Sequence, residues 1–145
     1  MEKALFCRVC GAQLTAPLIL LSGKDPSVRK PVHDSRVPLA ARGHVYKSYE
    51  PLQPSSGGET QPLDHVPQYW VNPDDLTDVV EKSRKRGRNG GCCGESGLNG
   101  PNRVCRCGVE IGTVQDDCCT AYVFVTVPEH TEWAPWPDGI RTVLP

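Results

Sequence analysis

The sequence predicts a small β-rich, zinc-ribbon-like domain with one short helix and long proline-rich loops. The chain of 145 residues contains 14 prolines, 14 glycines and 6% aromatic residues, so it offers little material for a conventional apolar core. It also contains eight cysteines, and alternating apolar residues in its last third favour a β-hairpin. We therefore expect a metal ion or a cross-link to supply part of the stability of a single metal-stabilised domain, residues 1–145.

Residues 1–21 predict two short strands around a first zinc knuckle. In the CRVCG motif two intervening residues let both sulfurs face one ion, and Gly11 permits a backbone conformation that a side chain would hinder. The middle, residues 22–71, is rich in proline, which removes backbone donors and disfavours helix. Long helices are excluded there, and short extended segments are expected at 43–49 and 66–71.

Residues 72–88 predict the short helix and a basic run after it. Asn72 can cap a helix, Pro73 suits the first turn, and the acidic residues that follow complement the positive end of the helix dipole. The basic run at 82–88 is expected to extend the last turn before glycines end the helix.

The cysteine-rich core, residues 89–127, ends in the predicted hairpin, with strands near 109–114 and 122–127. Inside this core the GLNGPN segment, residues 97–102, predicts a rigid turn. Binding of calcium or phosphate is the alternative, but the segment lacks EF-hand carboxylates and a P-loop lysine. The tail, residues 128–145, is expected to be irregular because of its prolines. Its tryptophans either dock on the core, which we favour, or bind a partner.

Two knuckles that lie far apart in sequence form the best candidate for a closed zinc site. The CxCG motif has one residue between its cysteines, which still brings two thiolates together in a tight turn, and its glycine repeats the arrangement of the CxxCG motif. The ligands of this first site would be Cys7, Cys10, Cys105 and Cys107. Such a site would join the two ends of the chain.

The remaining cysteines predict a possible second site made of Cys92, Cys93 and Cys118. Neighbouring cysteines in extended backbone point to opposite sides, but the flanking glycines of Cys92 and Cys93 allow the required bend. Cys119 is the weaker candidate, because a buried cysteine can serve as a small apolar side chain. The fourth donor is left open between Asp117 and the four histidines, His33, His44, His65 and His130.

Cysteine usage and hydropathy predict a cytoplasmic protein that holds one or two Zn²⁺ ions. The apolar stretches are far shorter than the roughly 20 residues that cross a bilayer, so no membrane contact is expected. In a reducing compartment paired cysteines favour thiolate ligands, and disulfides are the alternative.

Two motif groups, CRVCG from Cys7 and GCCGESGLNGPNRVCRCGVEIGTVQDDC from Gly91, resemble those of a family of small, uncharacterised bacterial proteins. Its members share a CxxCG motif and a series of GCCG, NGPN, CxCG and DC motifs. The resemblance implies that the cysteines of both predicted sites belong to one pattern, and it implies no activity. The Cys119 position is often not cysteine in that family, which agrees with its weaker standing.

The function predicted first is a zinc-stabilised binding or interaction module whose partner is unknown, with a protein favoured over nucleic acid. The net charge of −1 hides a basic segment beside the cysteines. Nucleic-acid phosphates could be neutralised there by Lys82, Arg84, Lys85, Arg86 and Arg88. A solvated charged segment is the simpler interpretation, because aromatic residues do not alternate with the basic ones.

An enzyme is the second hypothesis, and the sequence favours it less. Cys92 and Cys93, near Arg103 and Arg106, could act in thiol-redox chemistry, and a metal with an open coordination position could support a metal-dependent enzyme. However, the sequence contains no HExxH motif, no ordered Ser, His and Asp set and no thioredoxin-like context. A third class comprises interaction or immunity-type proteins that act through their surface alone.

Overall fold

A computed structural model describes residues 2–52, Leu63 and residues 65–136. These residues form nine β-strands and one turn of 3-10 helix, Pro73–Asp75. In chain order the strands are β1 (Glu2–Cys7), β2 (Leu18–Ser22), β3 (His44–Ser48), β4 (Gln68–Val71), β5 (Val80–Lys82), β6 (Arg103–Cys105), β7 (Glu110–Gln115), β8 (Val123–Thr126) and β9 (Thr131–Trp136).

All nine strands belong to one mixed sheet that curls into a half-barrel. Their order across the sheet is β5, β6, β7, β8, β4, β3, β2, β1, β9. β2 and β3 run parallel, whereas the other neighbours run antiparallel. The predicted zinc-ribbon-like fold is therefore wrong, because a ribbon is a small hairpin unit and this sheet runs through the whole described chain.

The helix predicted after Asn72 is also wrong beyond its first turn. Asn72 caps as expected, since its side chain accepts a hydrogen bond from the Asp74 backbone N–H, but Leu76 already has extended dihedral angles. Leu76 forms a β-bridge with Thr15, and the Thr77 N–H donates to the Leu14 carbonyl. Pairing with a remote segment thus replaces the next helical turn. Among the described residues no helix is long and apolar enough to cross a membrane.

The strand predictions have mixed outcomes. The first two strands, the extended segments of the middle and the β7–β8 hairpin are confirmed. The irregular tail is wrong, because β9 pairs with β1 over six residues, from Glu2 opposite Trp136 to Cys7 opposite Thr131. Pro135 is tolerated because β9 is an edge strand, where a missing backbone donor breaks no ladder. Residues 137–145 of the predicted tail lie outside the described part of the chain.

The expected shortage of apolar core is wrong as well. Two clusters of buried side chains pack in the sheet, and the first includes two of the predicted metal ligands, Cys7 and Cys105. It is built from Leu5, Cys7, Leu14, Leu18, Val45, Val71, Cys105, Ile111, Val114 and Phe124. The second is built from Leu39, Tyr46, Leu52, Leu63, Trp70, Ala121, Val123 and Val125. Valines on the strands, together with leucines from strands and loops, therefore supply the apolar interior that the low aromatic content argued against.

Candidate metal centres

The structure brings the sulfurs of Cys7, Cys10, Cys105 and Cys107 together at one end of the half-barrel. All four Sγ atoms lie within 4.8 Å of one another. The Cys7 and Cys107 sulfurs are 3.7 Å apart, and those of Cys10 and Cys105 are 3.5 Å apart. This group, here the closed cluster, has the donors and the spacing to hold a metal ion.

Two similar turns present these four sulfurs. At the end of β1 the Gly11 N–H donates to the Cys7 carbonyl and the Cys7 N–H donates to the Ala12 carbonyl. At the end of β6 the Gly108 N–H donates to the Cys105 carbonyl and the Cys105 N–H donates to Val109. Gly11 has a φ angle of 78° and Gly108 one of 98°, in the left-handed region that favours glycine. The glycines of both motifs thus serve the turns that gather the thiols.

Burial divides the closed cluster into an inner and an outer pair. Cys7 and Cys105 are buried, whereas Cys10 and Cys107 are exposed. Burial raises the pKa of the Cys105 thiol to about 12. The pKa of Cys10 is lowered, chiefly by a hydrogen bond from the Ala12 backbone. Binding of a cation would therefore have to expel the proton of Cys105, since a thiolate is the ligand form.

The curl of the sheet is what allows the two turns to meet. Five strands, β7, β8, β4, β3 and β2, lie between β6 and β1. With neighbouring strands about 4.8 Å apart, β6 and β1 would be about 29 Å apart in a flat sheet. The β8–β9 turn also spans this end, because the Arg8 N–H donates to the His130 carbonyl and His130 Nδ1 lies 2.6 Å from the Glu110 carbonyl oxygen.

A second group of sulfurs lies beyond the other end of β7. The Sγ atoms of Cys92, Cys93 and Cys118 are all within 4.8 Å of one another, so this group can also hold a metal ion. Cys92 and Cys93 are exposed and Cys118 is half-buried. We call it the open cluster. Hydrogen bonding with the neighbouring thiols, first Cys93 and then Cys119, raises the pKa of Cys118 to about 12.

Asp117 positions all three cysteines of the open cluster through their backbones. Its Oδ2 accepts the N–H of Cys92 at 3.0 Å, and its Oδ1 accepts the N–H groups of Cys93 at 2.7 Å and Cys118 at 2.8 Å. The pKa of Asp117 is lowered, chiefly by the Cys93 N–H. The carboxylate therefore stays ionised and is occupied by the amides.

None of the donors proposed as a fourth ligand joins either cluster within the described residues. Asp117 is turned towards the amides. His130 contacts the Glu110 carbonyl, while His33 packs edge-on against Trp70 with ring centroids 5.3 Å apart. Cys119 is exposed, so its expected burial is wrong, and its Sγ lies 3.9 Å from that of Cys118. The other two histidines, His44 and His65, also lie outside both clusters.

The basic run is largely paired with carboxylates. Three of its five basic residues form ion pairs: Lys82, Lys85 and Arg88. Glu110 Oε2 lies 3.1 Å from Lys85 Nζ and 2.8 Å from Arg88 Nη1. Arg84 and Arg86 form no ion pair in the portion of the chain that the structure covers. A groove of about 560 Å³ separates this run from the β6–β7 turn of the closed cluster. Nucleic-acid contact by these residues stays a prediction.

Sequence reasoning missed two residues that organise the site region, Asn102 and Glu95, and gave a third, Asp117, a different role. The Asn102 side chain is fully buried, donates to the Val114 carbonyl at 2.8 Å and accepts its N–H at 2.7 Å. Glu95 is buried and receives two hydrogen bonds of 2.7 Å from Arg103. The motifs contain these residues, but only a tertiary contact distinguishes a buried carboxylate from a solvated one. Asp117 was predicted only as a possible metal donor, whereas in the structure it accepts the backbone N–H groups of the cysteines.

Comparison of the chain with protein-family models, with curated proteins and with solved structures finds no match. The resemblance to small bacterial cysteine-rich proteins therefore stays a prediction.

Proposed function

We propose that the protein is a zinc-stabilised binding module in which the closed cluster holds one structural zinc ion. The observation that carries the proposal is the meeting of four sulfurs from two remote turns. Zinc binds thiolates at about 2.3 Å in a tetrahedron, which places neighbouring sulfurs about 3.8 Å apart. The observed separations of 3.5 Å and 3.7 Å fit that geometry. Four protein thiolates leave no open position on the metal, which is typical of a structural site and not of a catalytic one.

A protein partner is supported over nucleic acid by the charge pattern of the groove beside the closed cluster. Its wall carries Lys82, Arg84, Lys85 and Arg106 against Glu81 and Glu110. Because Lys82 and Lys85 are paired with carboxylates, few of these charges remain to neutralise a regular row of phosphates. The groove wall keeps a small excess of positive charge, which fits an acidic segment of a protein better than the regular phosphates of a nucleic acid.

Zinc content and thermal stability test the structural role. Cys10→Ser should lose the zinc of the closed cluster and lower the stability by about 3 kcal/mol or more, because zinc binding is coupled to folding. Cys10 is exposed, so the substitution itself leaves no cavity. Cys119→Ser is the matched control and should keep both the metal and the melting temperature. An unchanged zinc content in Cys10→Ser would contradict the proposal.

Titration of duplex and single-stranded nucleic acid against salt tests the choice of partner. We expect no measurable binding at low salt. Binding that weakens steeply with salt and is lost in a double variant, Arg84→Glu with Arg86→Glu, would contradict the preference for a protein.

The exposure of Cys92 and Cys93 supports a second candidate function, an enzyme that uses these residues in thiol-redox or metal-dependent chemistry. A thiolate of one exposed cysteine can attack a disulfide such as oxidised glutathione and release one reduced glutathione, and the neighbouring thiolate then displaces the second, so that two protein thiols become a disulfide as glutathione is reduced. Equilibration in glutathione buffers, followed by thiol counting, tests the redox form. Reversible loss of two thiols near the cytosolic potential would support it, and thiols that stay reduced throughout would exclude it.

A further inference from the structure

The two cysteine clusters differ in the features that decide how firmly a metal is held. The closed cluster offers four sulfurs, two of them buried, whereas the open cluster offers three, two of them exposed. A zinc ion with three protein ligands keeps a position for an external ligand. The structure thus pairs a site suited to permanent metal with one suited to exchange.

The open cluster is built by contacts beyond the cysteines themselves. The Asp117 carboxylate fixes three amides, which sets where the three sulfurs can point. The loop 91–94 lies so close to residues 116–117 that a Cβ on Gly94 would be 2.6 Å from Asp116 Oδ1, and a Cβ on Gly91 would be 2.8 Å from Asp117 Oδ2. The glycines therefore allow the loop to fold onto the acidic pair, and the thiols are gathered before any ion arrives.

The chemistry of the donor set points to a thiophilic cation. Thiolates favour zinc and other soft ions over magnesium or calcium, which prefer oxygen ligands. The two nearby carboxylates that could serve a harder ion are both held by backbone N–H groups, Asp117 by those of the cysteines and Asp116 by that of Glu95.

We propose that Cys92, Cys93 and Cys118 form an exchangeable zinc site whose open fourth position takes a thiolate from outside the chain. An incoming thiol would lose its proton to solvent and its sulfur would displace the water from the fourth position of the zinc, with no transfer of electrons. The site lies at the opposite end of β7 from the closed cluster, about 20 Å of extended chain away. The proposal is therefore independent of whether the closed cluster holds its own ion.

Release of zinc to a chromophoric chelator tests this proposal on the full-length, reduced, zinc-loaded protein. We expect two ions per chain, one released in a fast phase from the open cluster and one in a slow phase from the closed cluster. Cys118→Ser should lose the fast phase and one ion, and it should retain the slow phase. Cys119→Ser, which alters an adjacent thiol outside the three-sulfur group, should keep both phases. Cys92→Ser repeats the test at an exposed position if Cys118→Ser does not fold.

Glutathione tests the open position directly. In protein loaded with Co²⁺, adding reduced glutathione should increase the thiolate-to-metal charge-transfer absorbance, and this increase should disappear in Cys118→Ser. A wild-type protein without a fast phase, a Cys118→Ser variant that binds as many ions as wild type, or an absorbance that glutathione leaves unchanged would overturn the proposal. A missing slow phase in wild type would instead contradict the structural zinc of the closed cluster, so the two failures are distinguishable.

Discussion

At the scale of single residues, charge pairing fixes the basic run to the sheet. Glu110 begins β7 and is three-quarters buried, with a side-chain exposure of 24%. Burial by itself would raise its pKa, but hydrogen bonds and charges from Lys85 and Arg88 outweigh that effect, and the pKa is lowered. Glu110 is therefore ionised in the folded protein. It links β7 to the basic run through its carboxylate and to the β8–β9 turn through its carbonyl, which contacts His130.

The lowered pKa of Glu110 predicts a loss of stability in acid. A carboxyl group whose pKa is lower in the folded state contributes stability above its unfolded pKa of about 4.3. That contribution is lost as the pH falls through the folded value. We expect Glu110→Gln to lower the free energy of unfolding by about 1 kcal/mol at pH 7 and to have little effect at acidic pH. Urea unfolding as a function of pH measures this.

Glu50 offers a matched control for that prediction. It also pairs with a lysine, Lys30, at 3.2 Å, but both side chains are 73% exposed. An exposed pair is screened by water, so Glu50→Gln should change the stability by a few tenths of a kcal/mol at most. Equal effects of the two substitutions would show that burial of Glu110 does not matter.

Residue spacing allowed the cysteines to be grouped before the fold was known. A CxxCG and a CxCG motif each bring two sulfurs together by local geometry alone, and the structure gathers those four. The roles of Asp117 and Asn102 could not be predicted in the same way. Their partners, the amides of the open cluster and the backbone of Val114, are remote or ambiguous in sequence.

At the scale of elements, the loop 91–94 depends on its glycines. A Cβ on Gly94 would lie 2.6 Å from the Asp116 side chain and 2.8 Å from its carbonyl oxygen. We expect Gly94→Ala to displace the loop and to reduce the metal content of the open cluster, because Cys92 and Cys93 would lose their hydrogen bonds to Asp117. Gly90→Ala is the control, since its nearest contact would be an ordinary 3.7 Å. Metal analysis of both variants tests this prediction. Equal metal content in the two would show that the close packing of the loop at Gly94 is not needed for metal binding.

The last strand gives the second test at this scale. Trp133 of β9 packs against the first core cluster and lies 5.4 Å from the Tyr69 ring, whereas Trp136 of the same strand is 37% exposed. We expect Trp133→Ala to destabilise the protein by about 2 kcal/mol and Trp136→Ala by less than about 0.5 kcal/mol. Thermal unfolding measures both effects, and equal melting temperatures of the two variants would contradict the packing described for Trp133.

Local signals predicted elements well where tertiary pairing agreed with them. Alternation gave the β7–β8 hairpin correctly. The cap at Asn72 was also correct, yet the helix stopped after one turn because residues 76–77 pair with the segment after the first knuckle. β9 was missed because Pro135 and the other prolines of the tail argue against a strand, although an edge strand tolerates Pro135.

At the scale of the whole molecule, the order of strands could not be read from the sequence. β2 reaches its parallel neighbour β3 through residues 23–43, and β4 pairs with β8 across more than 50 residues of chain. Such pairings depend on packing of both core clusters and leave no local signature. The two knuckles suggested a compact ribbon, whereas they lie on strands that a flat sheet would keep far apart.

The proposed zinc ion would thus cross-link the turns after β1 and β6, which the curl of the sheet brings together. Removing it should loosen the turns after β1 and β6 first, because those turns are the parts that the metal would hold. Hydrogen exchange with and without a chelator should show faster exchange at residues 7–12 and 105–109, with little change in β3 and β4. An equal increase in exchange across the whole sheet after chelation would contradict a cross-link confined to these two turns.

The most direct test is zinc X-ray absorption on Cys118→Ser, in which the open cluster has lost a ligand and the closed cluster is intact. We expect one zinc ion per chain surrounded by four sulfurs at about 2.3 Å. A first coordination sphere that contains oxygen or nitrogen, or a protein that stays folded without any bound zinc, would contradict the account.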